Sequence, residues 1–165
     1  MEIEEIKSNK EQYMEVLLLA DEEVNMINRY LNKGIMYRIL DPNLRAVCII
    51  TMESDEIIEI KNIAVLPEYR KMGYGKSMIT YIINKYKNDY CLLQVGTGES
   101  DLTVPFYEKC GFTYSHRINN FFIDNYSHPI FECGNQLVDM VYYKMNLHVS
   151  RETFEKLYII ANENM

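Results

Sequence analysis

The chain has 165 residues, of which 48% are hydrophobic and 25% charged, and its net charge is −7 at pH 7. This length and composition predict one globular domain that buries most of its apolar surface, and they exclude a disordered chain. No apolar run approaches the roughly 18 residues of a membrane span, and we expect neither a signal peptide nor a membrane partner. The basic residues are scattered outside one turn, which argues against a nucleic-acid-binding surface.

Cysteine and histidine spacing bears on compartment and metal binding. The four cysteines lie far apart with no C-x-x-C pair: Cys48, Cys91, Cys110 and Cys133. We therefore predict reduced thiols in a cytoplasmic protein, without a disulfide framework. The three histidines share no ligand spacing, so the sequence predicts no metal site.

The first third of the chain predicts a strand, one or two helices and a pair of strands. Residues 2–6 form the first strand, and Ser8 with Glu11 fits a capping box at the start of a helix. Apolar residues then recur at helical spacing. The segments 35–40 and 45–52 flank a proline-containing turn and predict two neighbouring strands.

The middle of the chain predicts a phosphate-binding turn. Residues 57–65 read as a central strand, because apolar residues, many of them β-branched, occur on both sides of the pleat. Pro67 ends this strand, since it has no N–H to donate. A basic turn with Gly73 and Gly75 follows and leads into an amphipathic helix. A strand, a glycine turn and a helix in this order aim free backbone N–H groups at an anion.

Glycine spacing excludes the two commonest phosphate-binding motifs. A P-loop, G-x-x-x-x-G-K-[ST], would need its first glycine at the position of Arg70. A dinucleotide fingerprint would need a small residue where Met78 stands. The pattern that remains is R-x-x-G-x-G.

The second half of the chain predicts four further elements and a loop. We expect a strand at 90–95, a short helix at about 104–110 and a long strand or strand pair at 112–123. Residues 124–137 show no periodicity and are predicted as the longest loop, and 138–147 as the last strand. The strands that begin near Ile57 and Cys91 should be parallel neighbours, because a helix crosses between them.

Residues 62–79, NIAVLPEYRKMGYGKSMI, resemble the cofactor motif of the GNAT N-acetyltransferase superfamily, in its bacterial small-amine or uncharacterised branch. Residues 104–112, VPFYEKCGF, resemble its second motif. The resemblance implies an α/β fold over residues 1–147, with a central mixed sheet of six or seven strands, splayed at the cofactor site, and helices on both faces. Residues 148–165 are predicted as a C-terminal helical extension of the same domain, capped by Ser150.

The resemblance implies acetyl-CoA as the acetyl donor. The pantetheine arm would pair with the backbone of residues 63–65, and the pyrophosphate would bind the basic turn. In the family an asparagine often stands seven residues before the motif tyrosine, whereas this chain has a serine there. The cofactor-binding residues expected on these grounds are Ile63, Ala64, Val65, Arg70, Lys71, Met72, Gly73, Tyr74, Gly75, Lys76 and Ser100.

Two catalytic residues are also implied by the resemblance. Tyr107 stands where the family has the acid that protonates the leaving thiolate, although a core aromatic fits the same position. Glu59 stands where several members have the general base. Alternatively, Glu59 is a surface carboxylate paired with Lys61, and a water chain removes the proton, as in many members.

Aromatic and acidic residues populate the segment that often walls the acceptor cleft in this family. Such residues suit a cationic amine, although a packed loop explains them equally well. The acceptor would be a small amine or a protein amino group, and a non-catalytic acyl-CoA sensor is the alternative function. The sequence does not decide whether the chain forms a homodimer. The acceptor-wall candidates are Phe121, Phe122, Asp124, Tyr126, Phe131 and Glu132.

Overall fold

A computed structural model describes residues 1–147 and 159–163, and in them strands and helices alternate in an α/β order. The strands are β1 (Glu2–Ile6), β2 (Ile35–Leu40), β3 (Leu44–Met52), β4 (Ile57–Val65), β5 (Leu92–Gly98), β6 (Thr113–Ile118), β7 (Phe131–Glu132), β8 (Asn135–Gln136) and β9 (Met140–Asn146). The helices are α1 (Met14–Leu17), α2 (Val24–Asn28), α3 (Tyr74–Tyr86), α4 (Val104–Lys109) and α5 (Phe121–Asn125), with 3-10 turns at Lys10–Tyr13 and Pro67–Tyr69.

The described strands form a seven-stranded mixed sheet in the order β1-β2-β3-β4-β5-β9-β6, and β7 and β8 form a separate hairpin. Strands β4 and β5 are parallel neighbours, and the other pairs of the large sheet are antiparallel. The helix α3 connects β4 to β5, as a parallel crossover requires. The predicted sheet and the predicted parallel pair are therefore confirmed.

Helices cover both faces of the sheet, as expected. On one side, here called the α3 face, Met78, Ile79 and Ile82 of α3 pack in a core that also contains Tyr107 and Phe112. A second core lies on the opposite side, here called the α2 face, and contains the buried residues Leu17, Ile27, Tyr30, Met36, Val47, Ile49 and Ala64. Because the central strands are buried on both faces, they consist mainly of apolar residues.

A β-bulge interrupts β4 in the middle of the sheet. Ile50 pairs with Ile60 and Ile49 pairs with Asn62, so Lys61 is an extra residue without a partner on β3. The bulge reverses the alternation of side chains along the strand. Ile60 packs in the core of the α3 face, whereas Ala64 packs in the core of the α2 face.

The predicted strand at 112–123 is wrong in its second half. Strand β6 ends at Ile118, and α5 begins at Phe121 after Asn120, which adopts a left-handed conformation with φ of 58°. The backbone N–H of Asn120 donates a hydrogen bond to Asp139 Oδ1 at 2.8 Å. Phe122 is buried against Ile130 and Leu137. This local packing outweighs the strand propensity of the aromatic residues.

Three smaller predictions also differ from the structure. No side-chain capping bond forms at Ser8, because Asn9 precedes the first 3-10 turn in a left-handed conformation. The predicted loop at 124–137 contains the end of α5 and the β7–β8 hairpin. The predicted cap Ser150 lies outside the described residues, as does the first part of the predicted C-terminal helix, although residues 159–163 are helical.

Candidate active site

A cleft opens where β4 and β5 separate. Their paired register runs from Ile57 opposite Leu92 to Ile60 opposite Val95, and beyond this point β5 no longer pairs with β4. The cleft has a volume of about 990 Å³ and is lined by residues from both faces of the sheet. The described part of β4 from Lys61 to Val65 therefore presents an edge without a strand partner toward β5.

The glycines of β5 serve packing in this structure. A Cβ atom at Gly96 would lie 2.8 Å from Cζ of Tyr142, and one at Gly98 would lie 2.5 Å from Cδ1 of Leu137. Gly96 and Gly98 also line the cleft. The point at which β4 and β5 separate coincides with the bulge at Lys61.

The N-terminus of α3 forms the basic end of the cleft. Gly73 precedes the helix with φ of 91°, a left-handed conformation that suits glycine. The backbone N–H groups of the first turn, at residues 74–76, have no partner within the helix. They carry the positive end of the helix dipole toward the cleft. Seven of the expected cofactor-binding residues on and before this turn line the cleft: Val65, Arg70, Lys71, Gly73, Tyr74, Gly75 and Lys76.

The two glycines of the turn have different roles. A Cβ atom at Gly73 would meet nothing within 4 Å, so this position needs glycine for its backbone conformation. A Cβ atom at Gly75 would lie 3.0 Å from Cζ of Phe106, so this position needs glycine for close packing of α3 against α4. Met72, by contrast, is 66% exposed and does not line the cleft.

Ile63 and Ala64 of β4 line the cleft, as expected for a cofactor strand. Ser100 does not line it. Its hydroxyl accepts hydrogen bonds from the backbone N–H groups of Leu102 at 3.3 Å and Thr103 at 3.4 Å. Ser100 therefore closes the turn before α4, and Leu102 and Thr103 face the cleft in its place.

Tyr107 on α4 lies in the wall of the cleft and is only 6% exposed. Its ring packs edge-on against Phe106 and Phe112. Burial raises the pKa of the phenol, and nearby Cys48, Cys110 and Glu132 raise this pKa further. The phenol is thus protonated at neutral pH and able to donate a hydrogen bond into the cleft.

Glu59 lies outside the lining of the cleft. It is 3% exposed, accepts a hydrogen bond from Gln94 Nε2 at 2.7 Å and forms an ion pair with Lys61. Lys61 lines the cleft and also lies 3.3 Å from a carboxylate oxygen of Glu53. Burial lowers the pKa of Lys61, but these two carboxylates raise it by more. Glu59 projects from β4 toward the α2 face, whereas Tyr107 packs on the α3 face.

The aromatic segment after β6 supplies the remaining wall, as the sequence suggests. Phe122, Tyr126, Phe131 and Glu132 line the cleft, whereas Phe121 and Asp124 do not. Burial raises the pKa of Glu132, although a hydrogen bond with Ser100 lowers it in part.

Sequence reasoning missed a polar contribution from the segment between α1 and α2. Asp21 lines the cleft and accepts hydrogen bonds from Tyr126 at 2.8 Å and Tyr30 at 3.1 Å. The run Asp21-Glu22-Glu23 between two helical segments was the available signal. An acidic run between helices commonly lies in solvent, and nothing local in the sequence links it to Tyr126.

Residues 1–147 and 159–163 contain no group of three or more His, Cys, Asp or Glu arranged to hold a metal ion. In the same part of the chain, no helix combines the length and apolar character needed to cross a bilayer.

Comparison with known proteins gives the family. The Acetyltransferase (GNAT) domain family matches residues 30–114. An uncharacterized N-acetyltransferase of Bacillus subtilis (strain 168), YvbK, is 34% identical over 138 residues, which cover 82% of this chain and 88% of the relative.

Solved structures agree in fold. A GNAT family acetyltransferase from Elizabethkingia anophelis with acetyl-CoA bound is 32% identical with a TM-score of 0.82, over 88% of this chain and 97% of that one. A Bacillus subtilis acetyltransferase in complex with CoA is 32% identical with a TM-score of 0.81, over 88% and 98% of the two chains. With the separated β4–β5 pair and the basic turn at α3, these similarities show that the chain belongs to the GNAT family of acetyltransferases.

Proposed function

We propose that this protein transfers the acetyl group of acetyl-CoA to a primary amine by direct attack. The observation that carries the proposal is the continuity of three features in one cleft. The partnerless edge of β4 runs into the basic N-terminus of α3, and Tyr107 lies in the adjoining wall. Two relatives of 32% identity bind acetyl-CoA or CoA.

The donor has two chemically distinct parts, and the cleft suits both. The pyrophosphate would accept hydrogen bonds from the N–H groups of residues 74–76, and the helix dipole favours its negative charge. Arg70, Lys71 and Lys76 add positive charge there. The amides of the pantetheine arm would pair with the edge of β4 at residues 63–65, as an added strand does.

In the reaction, the nitrogen of the neutral amine attacks the thioester carbonyl carbon, and the C–S bond breaks. A backbone N–H of β4 within residues 63–65 would stabilise the negative charge on the carbonyl oxygen. The leaving thiolate takes a proton from the phenol of Tyr107. Tyr107 is proposed for this role because of its position, since it lies in the wall of the same cleft as the edge of β4 and the basic turn.

The amine must also lose a proton. We propose that this proton leaves through water, because Glu59 is buried beside Gln94 and Lys61 and does not line the cleft. In this arrangement Glu59 holds Lys61 at the cleft wall. Glu59 as the direct base stays a prediction, which a pH profile tests.

Acetyl transfer is tested by measuring thiol release from acetyl-CoA in the presence of a panel of primary amines, with mass spectrometry of the product. We expect amine-dependent release, with one acetyl-amine formed per thiol. Hydrolysis without amine is the background control. Tight binding of acetyl-CoA with no release above background for any amine would identify an acyl-CoA sensor instead.

The proposed compartment is the cytoplasm. Cys48 is a buried thiol, and Cys133 is an exposed free thiol. An exposed free thiol is stable in a reducing compartment.

A further inference from the structure

A second polar site lies on the α2 face of the cleft, at the carboxylate of Asp21. Tyr126, which follows α5, donates a hydrogen bond to Oδ1 at 2.8 Å, and Tyr30, which follows α2, donates one to Oδ2 at 3.1 Å. Two donors from different segments hold the carboxylate in a fixed orientation. A carboxylate has about four acceptor positions, so these two bonds and one from the backbone N–H of Glu23 leave a position available for a ligand.

Asn62 adds an independent observation. It is 3% exposed, lines the cleft, and donates from Nδ2 to the Leu17 carbonyl at 3.0 Å and to the Tyr30 hydroxyl at 3.1 Å. These two bonds fix the orientation of the amide. Its Oδ1 is buried and has no hydrogen-bond partner among the described residues. A buried acceptor without a partner is costly, so this oxygen calls for a hydrogen-bond donor.

The charges around Asp21 also favour a hydrogen-bond donor that carries a positive charge. Within the described residues, Asp21 forms no ion pair with a Lys, Arg or His side chain. Burial raises the pKa of Asp21, although the two tyrosine hydrogen bonds lower it in part. The carboxylates of Glu22 and Glu132 line the same cleft. A cation at Asp21 would replace the water that burial has removed.

Aromatic rings complete the surroundings. Phe122 and Tyr126 line the cleft, with ring centroids 5.3 Å apart. Aromatic faces attract ammonium groups and pack well against alkyl chains. The basic turn of α3 lies on the opposite face of the sheet, so the phosphates of the donor and a cationic acceptor would approach from different sides.

We propose that Asp21 binds an ammonium group of the acceptor, which is therefore an alkyl amine with a second positive charge, such as a diamine. This inference rests on the proposed amine acetylation. The attacking nitrogen must be neutral. The nitrogen held by Asp21 is a second one that stays charged. Asn62 Oδ1 accepts another of its hydrogens.

The test compares diamines of three to six carbons with monoamines of the same length. Each is titrated by calorimetry into the protein saturated with CoA, so that binding is measured without turnover. We expect at least one diamine to bind about 10- to 100-fold more tightly than its monoamine. Asp21→Asn, which keeps the shape of the side chain, should remove this preference and leave the affinity for CoA unchanged.

Two further variants separate the site from its surroundings. Glu15→Gln removes an exposed carboxylate of α1 that does not line the cleft, and should keep the preference within about twofold. Tyr126→Phe removes one hydrogen bond to Asp21 while retaining the ring, and should reduce the preference about three- to tenfold. Tyr126→Phe also keeps the test informative if Asp21→Asn does not fold.

The outcomes separate this inference from the proposed function. Equal binding of diamines and monoamines by the wild type, or a preference that survives in Asp21→Asn, would overturn the inference. An equal loss of the diamine preference in Glu15→Gln would also overturn the inference, because it would show that the negative charge of the protein attracts the diamine without a specific site. Diamines that bind through Asp21 but are never acetylated would support the site and refute the acetyl transfer. Turnover of monoamines and diamines alike would do the reverse.

Discussion

The two faces of the cleft are built in different ways. On the α3 face, the proposed anion-binding groups are backbone N–H groups at residues 74–76, supplied by one continuous strand-turn-helix segment. On the α2 face, the polar groups are the side chains of Asp21, Tyr30, Asn62 and Tyr126, which come from four separate segments. Donor binding should therefore depend on backbone conformation and local charge, whereas acceptor binding should depend on individual side chains.

Tyr107 packs on the α3 face in the wall of the cleft, and its substitution carries the largest expected effect. Tyr107→Phe removes the hydroxyl that we propose as the proton donor to the leaving thiolate. We expect kcat to fall by roughly 10- to 10,000-fold while the affinity for acetyl-CoA stays nearly unchanged. Steady-state kinetics and calorimetry measure the two quantities.

Tyr114→Phe is the matched control, because Tyr114 is exposed on β6 and should give wild-type turnover. Single-turnover kinetics must show that chemistry limits the rate in both proteins. Near-wild-type kcat in Tyr107→Phe under that condition would leave Tyr107 as a core aromatic residue.

Variants of Gly73 test whether donor binding on the α3 face depends on backbone conformation and local charge. Gly73→Asp places a carboxylate where we expect the pyrophosphate, and should raise the Kd of acetyl-CoA by about 100-fold or more. Gly73→Asn has the same shape without the charge, and asparagine also tolerates a left-handed conformation. It should therefore lose less than about tenfold. Calorimetry with acetyl-CoA compares the two variants.

Gly75→Asp should also abolish donor binding, but with a loss of thermal stability, because its Cβ would press on Phe106. The Gly73 variants add a Cβ in open space and should melt closer to the wild-type temperature. Unchanged acetyl-CoA affinity in folded Gly73→Asp would refute the proposed pyrophosphate site.

The smallest expected effect on activity is at Glu59. Glu59→Gln should lower kcat/KM by only about two- to tenfold, because water is proposed to take the proton of the amine. Stability should fall by about 1–3 kcal/mol, because Lys61 loses its buried ion-pair partner. Denaturant unfolding and a pH profile of kcat/KM measure these two effects.

In both proteins kcat/KM should rise with pH as the acceptor loses its proton. Glu59→Gln leaves that titration unchanged if Glu59 is not the base. Loss of part of the rising limb in Glu59→Gln alone would instead identify Glu59 as the base and displace the water route.

Much of the α3 face was predictable because its determinants are local in the sequence. The β-branched strand, Pro67, Gly73 and the helical periodicity lie within 57–78, and each has a short-range physical meaning. The parallel pairing of β4 with β5 followed from the helix between them. Even there, the sequence does not distinguish the role of Gly73 from that of Gly75, because the contact of Gly75 with Phe106 is a tertiary one.

For the α2 face, the sequence predicted which types of residue line the cleft but not how they contact one another. The aromatic segment after β6 suggested an acceptor wall, and Phe122 and Tyr126 line the cleft. The contact between Tyr126 and Asp21 joins positions 105 residues apart, and no local pattern encodes it. Ser100 and Glu59 were singled out because the family uses those positions, but their hydrogen bonds became visible only in three dimensions.

The single extra residue at Lys61 determines which face of the sheet each later side chain of β4 points to. In a regular strand, odd and even positions keep to opposite faces, so Ile60 and Asn62 would point the same way. The extra residue shifts the phase by one, and Asn62 instead reaches Tyr30 on the side away from Ile60. A deletion of Lys61 would exchange the sides of every later position in β4, so this strand tolerates substitution at that position far better than a change of length.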